Sequence, residues 1–336
     1  MGSGRPARAT FGMGGREPIS ASYRRVAMSA ARRASRPAAA STALTALFAS
    51  AILVAACGAG APSPSASPVG ATQAPTPTPT LAPDAIAHPT GAAEVVLRYE
   101  VGGGFVPIEF MANHVPQFTL YGDGRVVFVR QDDQGITTPD GVRANVPLRT
   151  AKLTEAQVQE LLKFALGNGA LGRAGPSYPA VNIADAPSTT FEIHADGGSK
   201  TVSVGALGMD TSGTDGLIRA AFQKLADRLG NFDQGGLLGG AMYEPTAYRG
   251  ILFDNAMAQG MVVRDWPWKD LASTAFTAPS EGGFPGGRLH ALTPDQVKVL
   301  GLTPYQGGIA GGLALRQADG TLVTIVVRPL LPDEKP

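Results

Sequence analysis

The chain has 336 residues, with 28 Lys plus Arg against 27 Asp plus Glu for a formal net charge of +1, and a single cysteine. That near-neutral balance hides a division, because beyond residue 56 only 7 Lys and 13 Arg stand against 26 acidic side chains, a net charge of −6. An acidic chain without a basic cluster argues against nucleic-acid binding, which needs cations to replace phosphate counterions, and one thiol gives no internal disulfide.

Arg32, Arg33 and Arg36 precede an apolar run from about Pro37 that closes on Val54-Ala55-Ala56-Cys57. Basic flank, apolar stretch and small-residue close are the three parts of an export signal, so residues 1–56 are expected to be a signal peptide, with 28–56 as its working part. An uncleaved membrane helix is the competing reading, since about 20 apolar residues can just span a bilayer. Thr42, Thr45 and Ser50 weaken that run, and the cysteine at its end favours the signal. From residue 57 to 93 the chain is rich in Pro, Thr and Ser and reads as a disordered tether. In polyproline II form, at about 3.1 Å per residue, it would reach roughly 100 Å.

The expected fold class beyond the tether is α+β: antiparallel sheets of β-hairpins, each covered on one face by amphipathic helices, in two units at 94–232 and 248–332 joined by a glycine-rich linker at 233–247. In the first hairpin an Asp123-Gly124 turn pairs Leu120 with Val127 and Phe118 with Val129, placing all four on one face. A helix follows, in which Thr154 and Gln157 form a capping box and Leu153 staples onto Val158. Its stripe of Val158, Leu161, Leu162, Ala165 and Leu166 ends at Gly167. In the second hairpin a four-residue loop from Asp196 to Ser199 pairs Ile193 with Val202 and Phe191 with Val204, and puts His194 across from Thr201. A second helix carries Ile218, Ala221, Phe222, Leu225 and Leu229 and stops at Gly230. The capping signature recurs at Thr293 and Gln296, with Pro294 in the first turn. In the last hairpin a loop of Ala318-Asp319-Gly320 pairs Leu313 with Ile325 and Leu315 with Val323. The recurring Leu-Thr helix start fits either a partial internal duplication or independent use of a good capping sequence.

Signals for chemistry are few. His88, His114, His194 and His290 lack zinc-ligand spacing and read as solvated or locally bonded. Neither a serine-nucleophile elbow nor a phosphate-binding lysine loop occurs, and Gly102-Gly103-Gly104 has no helix start after it, so no cofactor is expected. The pairs Asp132 with Asp133 and Asp265 with Asp270 could serve glycoside cleavage but read more simply as charged loop tips. Trp266-Pro267-Trp268 is the one aromatic cluster. Its indoles could stack on a sugar or a partner protein, or could pin their loop to the core.

Val54-Ala55-Ala56-Cys57 resembles the lipobox of bacterial lipoproteins. That resemblance implies a diacylglycerol on Cys57, with the chain held on the outer face of the cytoplasmic membrane. Signal, tether and the closing Arg328-Pro329-Leu330-Leu331-Pro332 together resemble the uncharacterised exported lipoproteins of high-GC bacteria, a class that implies no activity. Gly103-Gly104-Phe105 after a first strand, a Leu-Thr helix, the hairpin Phe191 to Val204 and a closing amphipathic helix give 94–232 a pattern similar to emfourin, a small inhibitor of thermolysin-type metalloproteases. The Pro107 to Gln117 insertion and an extra hairpin depart from that pattern. The expectation is therefore a non-catalytic, lipid-anchored binding or scaffolding module with an envelope protein or glycan as partner. A metalloprotease inhibitor and an envelope glycan hydrolase are the alternatives.

Overall fold

The computed structural model describes residues 84–180, 183–209, 214–254, 260–278, 286–302, 308–309 and 312–335, excepting the Glu109 side chain. The expected signal, Cys57 and the expected tether up to residue 83 lie outside the described residues. The chain begins with β1 (Val95–Gly102), α1 (Ile108–Ala112), β2 (Phe118–Tyr121), β3 (Arg125–Val129) and β4 (Leu148–Lys152). Next come α2 (Glu155–Leu166), β5 (Ser177–Tyr178), β6 (Ser188–Ala195), β7 (Gly198–Gly205), α3 (Gly216–Gly230) and β8 (Ala241–Met242). The last part holds β9 (Tyr248–Phe253), β10 (Val263–Asp265), β11 (Gly287–Leu292), α4 (Pro294–Lys298), β12 (Leu313–Arg316) and β13 (Leu322–Pro329).

Two mainly antiparallel sheets result, one of eight strands in the order β5-β7-β6-β1-β2-β3-β4-β8 and one of five in the order β10-β12-β13-β9-β11. This is the α+β class that hairpins alternating with capped helices imply. Both capping boxes form, Thr154 with Gln157 on α2 and Thr293 with Gln296 on α4. On one face of the first sheet Leu97, Phe118, Leu120, Phe191, Ile193, Val202 and Val204 share a core with Val158, Leu161 and Leu162 of α2 and Phe222, Leu225 and Leu229 of α3. The second sheet has no comparable helix layer among the described residues. Leu252, Leu313, Leu315, Val323, Ile325 and Val327 pack with Trp268, Leu271 and Phe276 of an irregular segment, Val297 of α4, Leu300 and Leu302.

The first hairpin differs from its expected register. Phe118 pairs with Phe128 and Leu120 with Val126, one residue away from the expected partners. Asp123-Gly124 is not a two-residue turn. Gly122, Asp123 and Gly124 form a three-residue loop in which Gly124 takes φ +83° and the Asp123 carboxylate accepts from the Arg125 N–H at 3.0 Å. A one-residue slip exchanges faces. Val126 and Phe128 therefore enter the helix-covered core, while Val127 and Val129 join Tyr121, Leu148, Tyr243 and Leu331 on the other side. The second hairpin is displaced by two residues, pairing Phe191 with Val202 and His194 with Ser199. Asp196 and Gly197 at φ 53° and 71° make the two-residue turn that matches strand twist, and an even slip leaves every side chain on its expected face. The third hairpin has its expected pairs, Leu313 with Ile325 and Leu315 with Val323, around Gly320 at φ +86°.

Residues 233–247, expected as a linker, are built into the first sheet. Asp233 is buried and accepts from Arg130 Nε at 2.7 Å, β8 pairs with β4, and the Tyr243 N–H donates to the Leu148 carbonyl at 2.9 Å. Part of the expected tether is docked as well. Gln159 on α2 exchanges two hydrogen bonds with the Ile86 backbone, at 2.8 and 2.9 Å, and the Asp196 N–H donates to the Ala87 carbonyl at 2.7 Å.

Two segments cross between the sheets. Val142 and Ala144, from the β3–β4 connection, enter the second sheet's core, and Ala144 bridges Ile309. In the other direction, Leu331 packs against the first sheet while Asp333 accepts from Arg98 and from the Tyr121 hydroxyl, both at 2.8 Å. Glu334 takes both terminal nitrogens of the buried Arg328, at 2.8 and 2.6 Å. Burial in this seam pushes the Tyr243 hydroxyl up to about 12. All described residues belong to one unit, Thr76–Pro336.

Candidate functional site

The Trp266-Pro267-Trp268 turn leaves β10, whose residue Asp265 is the parallel register partner of Arg316 on β12. The Trp266 N–H continues that ladder by donating to the Arg316 carbonyl at 2.8 Å. Both indole N–H groups point inward: Trp266 Nε1 donates to the Leu271 carbonyl at 2.7 Å and Trp268 Nε1 to the Gln296 carbonyl at 2.9 Å. The rings meet edge to face, with centroids 5.1 Å apart, and Phe276 backs Trp266 in the same manner at 6.2 Å. Trp268 is 7% exposed and belongs to the core, whereas Trp266 is only partly buried. The two candidate binding residues thus separate, with Trp268 as anchor and Trp266 as a wall.

That wall borders a cleft of about 530 Å³, also lined by Asp265, Lys269, Ser273, Arg316 and Gln317. Arg316 and Asp265 form an exposed ion pair at 3.3 Å. Ser273 Oγ donates to Gln317 Oε1 at 2.5 Å, and Gln317 Nε2 donates to Thr321 Oγ1 at 2.9 Å. The exposed Lys269 has no ion pair among the described residues. A hydrolase built here would pair two carboxylates beside exposed indoles. Around the cleft stand an aromatic wall, the cations Lys269 and Arg316, the exposed Asp265 carboxylate and amide and hydroxyl groups, with Trp268 buried behind them. Asp133 of the other candidate carboxylate pair is occupied, since two hydrogen bonds from Arg149, at 2.6 and 2.9 Å, hold its carboxyl below the usual range.

A second surface lies at the end of β1. Gly103 and Gly104 at φ 73° and 81° turn the chain so that Phe105 stands 93% exposed. Val106, Phe110 and Met111 are also exposed, and with Val101 and His114 they line a groove of about 460 Å³. The patch is held from behind, because Ile108 and Ala112 of α1 pack on Ile251, Phe253 and Val326 of the second sheet. In the sequence the glycines stand out but no helix start is expected after them, so both α1 and the patch are missed. A five-residue helix is too short to display a period, and only the packing separates Ala112, facing in, from Phe110 and Met111, facing out.

The histidines are locally engaged. His88 Nε2 lies 3.2 Å from Glu155, His114 Nε2 2.9 Å from Glu100 and His194 Nε2 2.7 Å from Glu192, while His290 Nδ1 is 3.2 Å from the Ala275 carbonyl. His194 also reaches Ser199 Oγ at 2.7 Å, a contact created by the two-residue register difference. Among the described residues no three His, Cys, Asp or Glu side chains are grouped to hold a metal ion, and no helix is long and apolar enough to cross a membrane.

No protein-family model matches the chain, and no curated protein and no solved structure matches it.

Proposed function

We propose that this protein is a bacterial lipoprotein, anchored through lipid on Cys57 to the outer face of the cytoplasmic membrane, and that its α+β part is a non-catalytic binding module for an envelope protein or glycan. The observation that carries the anchor is Val54-Ala55-Ala56-Cys57 at the close of an apolar run behind Arg32, Arg33 and Arg36. Each buried methylene contributes about 0.8 kcal/mol, so two acyl chains hold a protein at a bilayer where one would exchange. Binding is supported by two surfaces whose side chains are aimed outward from a packed base, the cleft beside Trp266 and the groove beside Phe105. The test is detergent phase partitioning and intact-mass measurement of the full chain expressed in a bacterium. The expected product begins at Cys57, carries the added mass of diacylglycerol and enters the detergent phase, while the Cys57→Ser chain keeps its apolar run and lacks that added mass; a parent chain without the added mass would refute the anchor.

One observation favours a second reading, that of a metalloprotease inhibitor similar to emfourin. Phe105 projects 93% exposed from the Gly103-Gly104 turn, where a partner's cleft could bury it. Inhibition of thermolysin by the full chain, lost in Phe105→Asp, would favour it, and absence of inhibition would remove it.

A further inference from the structure

The cleft beside Trp266 has a charge and a shape of its own, and we propose that it binds a carboxylate-bearing saccharide. The proposal rests on the binding-module reading and names the ligand class of one of its two surfaces. Because the Trp266 N–H is spent on the Leu271 carbonyl, what the indole offers the cleft is its apolar ring, the surface on which the C–H face of a pyranose packs. Trp268 and Phe276 hold that ring edge to face, so it is positioned before a ligand arrives and little ordering cost remains. A volume of about 530 Å³ lies in the range of about 300–1,000 Å³ typical of small-ligand sites.

The cations select the ligand. Beyond residue 56 the chain carries a net charge of −6, yet this cleft is lined by Lys269 and Arg316 against Asp265. The Arg316–Asp265 pair has side chains 54% and 83% exposed and a separation of 3.3 Å, the kind of surface pair that adds little stability and exchanges readily with a ligand carboxylate. Guanidinium is also the group best shaped to take a carboxylate through two parallel hydrogen bonds. Ser273 and Gln317, bonded to each other and Gln317 also to Thr321, still present the acceptor lone pairs of Ser273 Oγ and the second hydrogen of Gln317 Nε2 to ring hydroxyls. A neutral glycan would leave Lys269 without a counter-charge and offer Arg316 nothing beyond Asp265, and a nucleic acid needs a longer run of phosphate contacts than two cations provide.

The chain's two tryptophans both line this cleft, so tryptophan fluorescence reports on it and on the core that holds Trp268. The experiment titrates the full chain in detergent, and in parallel the Cys57→Ser chain, with tetragalacturonate and with maltotetraose. Tetragalacturonate should give a saturable change in both chains that weakens with added salt, and maltotetraose should give none. Lys269→Ala and Arg316→Ala should each weaken binding about tenfold with thermal midpoints unchanged. No saturable change with tetragalacturonate, or an equal response to maltotetraose, overturns the proposal irrespective of the variants. Agreement between the two chains separates this outcome from the fate of the anchor, which the partitioning experiment reads alone.

Discussion

Buried side chains of two helices share the core of the first sheet, while among the described residues the second sheet packs with α4 and with an irregular segment that carries three aromatic rings. A periodic helix buries its stripe by geometry. An irregular segment must instead satisfy its backbone and polar groups one at a time, and here the two indole N–H groups cap the Leu271 and Gln296 carbonyls for that purpose. The cleft beside Trp266 lies at the margin of that cover. The contrast can be broken by removing one large ring from each cover. Phe222→Ala, in the helix layer, deletes a fully buried side chain between Phe191 and Tyr178 and should cost about 3–5 kcal/mol. Trp268→Ala should cost less, about 3 kcal/mol, because a loop collapses into a cavity more easily than a helix does. Urea unfolding midpoints measure both. Equal losses would mean that the irregular cover is as rigid as the helical one.

A smaller effect tests the seam that joins the regions. Burial disfavours the Glu334 carboxylate, but the hydrogen bonds and charge of Arg328 outweigh it, and its folded-state pKa lies below the ordinary 4.5. Such a group contributes stability that is complete above pH 4.5 and is lost as pH falls through the lower folded value. Glu334→Gln should cost about 1–3 kcal/mol at pH 7, since it leaves the buried Arg328 with a weaker partner. The difference from the parent chain should shrink as the pH is lowered below that range. Urea unfolding at pH 7 and at successively lower pH reads this directly, and a difference that does not change with pH would remove Glu334 from the account of the seam.

What was legible in the sequence follows the same division. Both capping boxes and the positions of α2, α3 and α4 could be read because they depend on neighbours three and four residues away, whereas the five-residue α1 was missed. The third hairpin could be read for the same reason. The other two have loops of other lengths than expected, three residues in place of two and two in place of four: Asp123-Gly124 resembles a two-residue turn, but an Asp123 side chain bonding to the Arg125 N–H stabilises the longer loop. Asp196-Gly197 adopts the two-residue turn that the following Gly198-Ser199 disguises. Turn type sets register, so an error of one residue sent Val127 to the wrong face, while an error of two left Phe191 in place. The cleft was half legible. Trp266 and Trp268 stood out as a pair, yet nothing local indicates which indole is buried, and Lys269, Ser273, Arg316 and Gln317 converge only through the β10–β12 pairing. The Phe105 groove and the seam of Asp333 and Glu334 depend on contacts across the whole chain, where sequence spacing carries no signal.

The smallest effect bears on whether the two regions unfold together. Thr154 and Thr293 make the same capping box, one on a helix of twelve residues and the other on a helix of five. Each hydroxyl accepts an otherwise unpaired N–H, so Thr→Ala should cost about 1 kcal/mol at either site. The length of the helix behind the cap does not enter if the whole structure unfolds in one step, because any loss in the folded state is then a loss of global stability. The crossing segments predict that outcome, since Val142 and Ala144 cannot leave the second core, nor Leu331 the first sheet, without disturbing the other region. Thr154→Ala and Thr293→Ala should therefore lower the same single unfolding midpoint by the same amount, read by helix signal and by tryptophan fluorescence, which report the first and second regions respectively. If Thr293→Ala moves only the fluorescence transition, the second sheet unfolds separately and its irregular cover sets its own stability.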